Sequence, residues 1–161
     1  MTPQQIESAA RDFAVERHGA QLYGECPYIE HLIAVRAVLA DFGYGGELGV
    51  AAWLHDVVED TATSREEIAA RFGAAVASLV WAVTGVAPNR KARNADAYAK
   101  IRAHPAAAAL KLADRIANVE ASASQAEKLA MYRNEWAGFA ASLEGLGDER
   151  MWARLRAAIG E

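Results

Sequence analysis

His55 and Asp56 stand side by side in Ala51-Ala52-Trp53-Leu54-His55-Asp56-Val57-Val58-Glu59-Asp60, with two more carboxylates one turn further on. On a helix advancing about 100° per residue, Val50, Ala51, Leu54, Val57 and Val58 form one arc. His55, Asp56, Glu59 and Asp60 form another. A solvated helix face normally mixes Lys and Arg with its acids, whereas this face carries an imidazole and three carboxylates. Crowded carboxylates repel one another and call for a positive charge, which a metal ion would supply. An acidic helix C-terminus open to water is the plainer alternative, but acids there oppose the helix dipole. That placement favours a site.

Two other stretches carry polar groups on otherwise apolar elements. His31 shares a helix side with Val35 and Val38, so it points inward. Alone, such a histidine reads as a core residue. In Leu110-Lys111-Leu112-Ala113-Asp114-Arg115-Ile116-Ala117-Asn118-Val119, one arc holds Lys111, Asp114, Arg115 and Asn118. Alone, Asp114 reads as a partner in an intrahelical ion pair.

The elements that must position these residues are helices. Alanine is abundant, the chain has 4 prolines, and no segment alternates apolar and polar residues long enough for a convincing strand. Thr2, Pro3 and Gln5 spell an N-cap, an N1 proline and a capping box, opening a helix to about Arg17. Residues 18–27 read as a loop. Helices are then expected over 28–42 and 47–59, and from a second capping box, Ser64 with Glu67, to Gly73. Another spans 74–83. A break at 84–90 precedes a helical segment to about Ala103, and Pro105 opens the longest Ala-rich helix, to about Ala123. Two more cover 125–143 and 148–159. An all-α bundle of about eight or nine helices in a single domain, 1–161, is the expected architecture.

Composition narrows the setting. Of 161 residues, 53% are hydrophobic and 24% charged, which suits a globular chain with a full core. A net charge of −4 gives no reason to expect nucleic-acid binding. Cys26 is the one cysteine, so a reducing compartment is the natural expectation. Met1-Thr2-Pro3-Gln4-Gln5 lacks a basic region followed by an apolar run, and no stretch approaches the roughly 20 apolar residues that span a bilayer. These features predict a cytoplasmic protein without a membrane partner.

Taken together, a histidine, a His-Asp doublet and a distant aspartate resemble the pattern of the HD-domain phosphohydrolases. Two imidazoles and two carboxylates suit a borderline divalent ion such as manganese, iron or cobalt, while magnesium prefers more oxygen. The resemblance is closer to the hydrolase domain of the RelA/SpoT family, above all its small stand-alone members. It rests on Pro27-Tyr28-Ile29-Glu30-His31, Trp53 to Thr61, Phe72-Gly73 followed by Val83-Thr84, and Lys111 to Asn118, over roughly residues 15–120. The spacing His-Asp-x-x-Glu-Asp is far more specific than His-Asp alone.

This resemblance implies metal ligands His31, His55, Asp56 and Asp114, usually around manganese, with Glu59 and Asp60 acting beside the activated water. The residues leave the choice of base between those two acids open. It implies removal of the 3′-pyrophosphate of ppGpp or pppGpp. The chain is too short for the synthetase and regulatory domains of long family members, so hydrolysis alone is implied. Lys111, Arg115, Arg90, Lys91 and Arg93 are candidates for phosphate contacts, and Asn118 for the sugar and phosphate. Arg90 to Arg93 could equally form a solvated surface cluster.

One departure concerns the loop after His18-Gly19-Ala20-Gln21. The family usually has a basic pair there, and this chain has Leu22-Tyr23-Gly24-Glu25. Tyr23 could stack on a base, or cover the core as a loop aromatic, and Arg17 could stand in for the missing cations. Another nucleotide as substrate (an adenine alarmone, a nucleoside phosphate or NADPH) is the alternative this raises. A non-catalytic nucleotide-binding HD module is the third reading. Trp53, Trp81, Trp136 and Trp152 read as core or interface, and the face bearing Tyr132, Trp136 and Phe139 as packing or a homodimer surface.

Overall fold

The computed structural model describes residues 1–161. Helix α1, Pro3–His18, begins as expected: the Thr2 hydroxyl accepts from the Gln5 backbone N–H, and the Gln5 side chain accepts from Thr2 N–H. A two-residue antiparallel ribbon follows, β1 Leu22–Tyr23 and β2 Cys26–Pro27, where the sequence suggested only a loop. Gly24, at φ 62°, makes its turn. Helix α2 is Ile29–Asp41.

The expected helix over 47–59 is broken. Helix α3, Gly46–Leu54, ends before the His-Asp doublet, and α4, Val57–Asp60, restarts after it. Asp56 sits at φ −103°, ψ −2°, which closes one helix and opens the next. Periodicity alone could not reveal this, because both halves keep the same apolar face.

Helix α5, Arg65–Phe72, has half of its expected capping box. The Ser64 hydroxyl accepts from Glu67 N–H, but the Glu67 carboxylate is taken by Arg17. Helices α6, Ala74–Val83, and α7, Arg90–Ala103, flank the expected break, and Asn89 caps α7 by accepting from Ala92 N–H. Pro105 opens a single 3₁₀ turn, Pro105–Ala107, before α8, Ala108–Ala121. That turn shortens α8, so the longest helix is α9, Ala126–Ser142, of 17 residues. Helix α10, Glu149–Ile159, closes the chain. The ten helices comprise the nine expected, with the third split in two.

One continuous core joins α1 to α10, and α2, α3 and α8 meet at its centre through Leu32, Leu39, Leu54, Leu112 and Ile116, all fully buried. The C-terminal aromatics pack inward. Phe139 stands edge-on to Tyr98 at 5.6 Å and meets Trp152 at 5.6 Å. Trp136 stacks beside Phe139. No helix is long and apolar enough to cross a membrane. Phe139 is 1% exposed, so Phe139→Ala is expected to cost about 3–5 kcal/mol of stability, measured by urea denaturation.

Candidate metal centre and nucleotide pocket

Three elements bring four donor groups together. Helix α2 supplies His31, the α3–α4 break supplies His55 and Asp56, and α8 supplies Asp114. One ligand atom from each lies within 4.8 Å of every other. His31 Nε2 is 2.9 Å from Asp114 Oδ1 and 3.6 Å from Asp56 Oδ2. His55 Nε2 is 3.0 Å from Asp56 Oδ2 and 3.2 Å from Asp114 Oδ1. Donors about 2.1 Å from one ion, at right angles around it, are separated by about 3 Å. The cluster therefore has the dimensions of a coordination shell.

His55 and Asp56 sit where α3 ends and α4 begins, and both keep a right-handed helical backbone. Just upstream, Trp53 anchors the end of α3 to α1 by donating its indole N–H to Glu7 at 3.0 Å. His55 Nδ1 lies 2.7 Å from the Ala52 carbonyl, which can only accept. Nδ1 therefore carries a proton, and Nε2 is the atom turned towards the carboxylates. His31 likewise directs its bonding through Nε2, since its buried Nδ1 has no partner.

The electrostatics favour a cation. Burial raises the Asp56 carboxyl, but His55 and His31 outweigh it and hold it at about 2. Burial also works against ionised Asp114, yet Lys111 and the two histidines keep it well below the usual carboxylate range. Burial disfavours charge on His55, and Asp56 and Asp114 overcome this and push its pKa well above the ordinary value. Glu59 and Asp60 behave oppositely: burial first, then the Asp56 charge, raises both. They are thus better proton acceptors than ordinary surface acids.

The cluster floors a pocket of about 690 Å³, within the size range of small-molecule sites. Its lining combines the acids Asp56, Glu59, Asp60 and Asp114 with Arg90, Arg93, Lys111, Arg115 and Asn118. Lys111 Nζ is 3.2 Å from Asp114 Oδ2, and Arg93 lies 3.9 Å from Glu59. Asn118 donates to Asp114 at 3.2 Å. Arg90 is exposed to the pocket but held by two bonds to Glu135, at 2.9 and 3.0 Å. Arg115 is 4% exposed, bonded to Glu135 and to the Tyr98 hydroxyl, and packed on Phe139. It acts chiefly as a strut behind the wall.

Three sequence candidates fall elsewhere. Arg17 points away from the pocket into a salt bridge with Glu67, its guanidinium 4.5 Å from the centre of the Phe13 ring. It cannot replace the absent loop cations, because Glu67 already holds it. Lys91 is solvent-exposed, one residue off the pocket-facing side of α7. Tyr23 stacks on His31 at 4.8 Å and donates its hydroxyl to Asn118 at 2.7 Å. One face of its ring is therefore spent on the histidine, and Lys128 lies 5.6 Å from the ring centre.

Other residues emerged only from the fold. Tyr28 donates its hydroxyl to Asp56 Oδ2 at 2.5 Å, and Gln21 donates to Asp60 at 3.0 Å. Glu135, 20 residues beyond Arg115 in sequence, gathers Arg90, Arg115 and Asn94. Tyr28 stands three residues before His31 in Pro27-Tyr28-Ile29-Glu30-His31, but nothing in the chain around Glu135 marked it.

The chain matches the model of the HD domain over residues 10–143. It belongs to that family. It is 42% identical over 127 residues to a guanosine-3′,5′-bis(diphosphate) 3′-pyrophosphohydrolase of Aquifex aeolicus, covering 73% of this chain and 18% of that protein. A protein of the same activity name from Danio rerio is 37% identical over 115 residues, covering 67% of this chain and 64% of that one. The chain thus spans about a fifth of the long relative and just under two thirds of the small one. Among solved structures, a metazoan ortholog of SpoT that hydrolyzes ppGpp superposes with TM-score 0.82 at 24% identity, covering 99% of this chain and 97% of that one. The likeness in fold therefore extends over nearly the whole chain.

Two predictions follow from this geometry. Asp114→Ala is expected to lower divalent-metal affinity more than about 100-fold, read by metal analysis after dialysis. Burial raises Glu135, but Arg90 and Arg115 outweigh it and hold it at about 2 against an ordinary 4.5. Its folded pKa is depressed, so its stabilisation is full above about 4.5 and lost as pH falls towards 2. The stability gap between wild type and Glu135→Gln should therefore shrink between urea melts at pH 6 and pH 3.

Proposed function

We propose that this chain is a metal-dependent phosphohydrolase that removes the 3′-pyrophosphate of ppGpp or pppGpp, leaving GDP or GTP and pyrophosphate. The observation that carries this reading is the convergence of His31, His55, Asp56 and Asp114 in a pocket that Glu59 and Asp60 also line. The activity names of the relatives support the substrate. The donor set of two nitrogens and two oxygens suits manganese. A divalent ion held there would supply the positive charge that acidifies a water at neutral pH.

The protein's own groups do the rest. Glu59 or Asp60 takes a proton from the water as its oxygen attacks the phosphorus joined to the 3′ oxygen. The bond from that phosphorus to the 3′ oxygen breaks, and the 3′ oxygen leaves as a hydroxyl once protonated. Lys111, Arg93 and Arg90 face the charge that builds on the phosphate oxygens. Asn118, fixed between Tyr23 and Asp114, lines the wall where a ribose would sit. Every donor atom of the cluster comes from one chain, so no second copy is needed to complete it. We take the chain to act as a single domain in the cytoplasm on a free nucleotide.

A second reading keeps the chemistry and changes the nucleotide to an adenine alarmone, a nucleoside phosphate or NADPH. It is favoured by Tyr23, whose ring lies against His31 where the family usually offers loop cations. Manganese-loaded protein incubated with ppGpp should release GDP and pyrophosphate, and Asp56→Ala should abolish that release. No release from protein shown to carry metal would exclude ppGpp. A nucleotide panel ranked by kcat/KM separates the two readings, with ppGpp expected to lead.

A further inference from the structure

The segment between α1 and α2 does more than connect them. It is closed on itself by backbone bonds: Gln21 N–H donates to the His18 carbonyl at 3.0 Å, and Tyr28 N–H donates to the Gln21 carbonyl at 3.2 Å. From this frame two side chains reach two different carboxylates of the site. Tyr28 donates its hydroxyl to Asp56, and Gln21 donates its amide N–H to Asp60 Oδ2. Behind them lies His18, 7% exposed and packed on the Tyr28 ring at 4.5 Å. Its Nδ1 is 2.8 Å from Gln21 Oε1, and its buried Nε2 has no partner.

Donor and acceptor requirements fix the polarity of this chain of groups. An ionised Asp60 can only accept, so Gln21 must present its NH₂ to Asp60 and its carbonyl to His18. His18 must then present an Nδ1–H to that carbonyl, and its buried Nε2 has no partner. A flipped amide would set a carbonyl against a carboxylate. Glu59 has no such tether, and its nearest cation, Arg93, is 3.9 Å away across the pocket.

We propose that Gln21, oriented by His18, is a positioning residue that locks the Asp60 carboxylate in the orientation needed to hold the attacking water. Asp60 is thereby the fixed acid of the pair, and Glu59 is free to follow the substrate. This rests on the hydrolase reading above. Leucine at position 21 would keep the bulk and remove both hydrogen bonds.

The test joins a tautomer measurement to a double-mutant cycle on the full chain. Long-range ¹H–¹⁵N spectra of the metal-free protein should show His18 protonated on Nδ1, and Gln21→Leu should relax that preference. A dominant Nε2–H form in the wild type would overturn the proposal. With manganese and ppGpp, Gln21→Leu should lower kcat about 10- to 100-fold and leave KM within about twofold. In an Asp60→Asn background the same change should cost no more than about twofold, because the group it positions is gone. Equal losses in both backgrounds, or a loss confined to KM, would overturn it. Should Gln21→Leu fail to fold, the isosteric Gln21→Glu removes the donor, and unchanged kcat in that variant would overturn it. Metal-loaded wild type that releases no pyrophosphate overturns the hydrolase reading, and the His18 tautomer still decides the link to Asp60.

Discussion

Two aspartates held this close together cannot both be ionised without positive charge beside them, and this constraint organises the molecule. Asp56 and Asp114 present oxygens to the same two imidazoles at separations of 2.9–3.6 Å. In an apolar interior such groups are stable only as a complete set, since removing one leaves the others uncompensated. The core is arranged to hold that set. Helices α2, α3 and α8 meet in the core around it, through Leu32, Leu39, Leu54, Leu112 and Ile116. The break between α3 and α4 falls at the His55-Asp56 doublet itself.

Around this centre the charges are sorted by how firmly they are held. Lys111 lies against Asp114 and belongs as much to the centre as to the pocket wall. Glu135 draws Arg90 and Arg115 together from two different helices, and so builds a rigid basic wall from side chains that would otherwise repel. Arg115, buried between Tyr132 and Phe139, ties that wall to the aromatic core. The pocket therefore holds a compact cluster of carboxylates and imidazoles beside guanidinium groups that Glu135 already fixes.

The segment 18–28 shows how closely positioning and recognition are interwoven. Its ribbon places Tyr23 over His31 and Tyr28 against Asp56. The same short stretch carries no cation between Gln21 and Tyr28, and the Tyr23 ring covers His31 instead.

Much of this was legible in the chain itself. The helices, their caps at Thr2 and Ser64, and the inward course of His31 follow from local spacing, which acts over one or two turns and is written in neighbouring residues. The four cluster residues were legible too, because a His-Asp-x-x-Glu-Asp run is specific and two lone polar residues on apolar helices needed a reason. What local spacing could not decide was competition among partners distant in sequence. Glu67 claimed Arg17 and completed only half of a cap, Glu135 claimed Arg90 and Arg115, and Gln21 found Asp60 39 residues away. Helical periodicity also hid the break at Asp56, since both halves keep one apolar face. The residue types alone determined that a metal-binding, helical chain would form. Only the tertiary structure decided which charges face the pocket, because a long side chain pairs with whichever opposite charge the packing of the helices brings within reach.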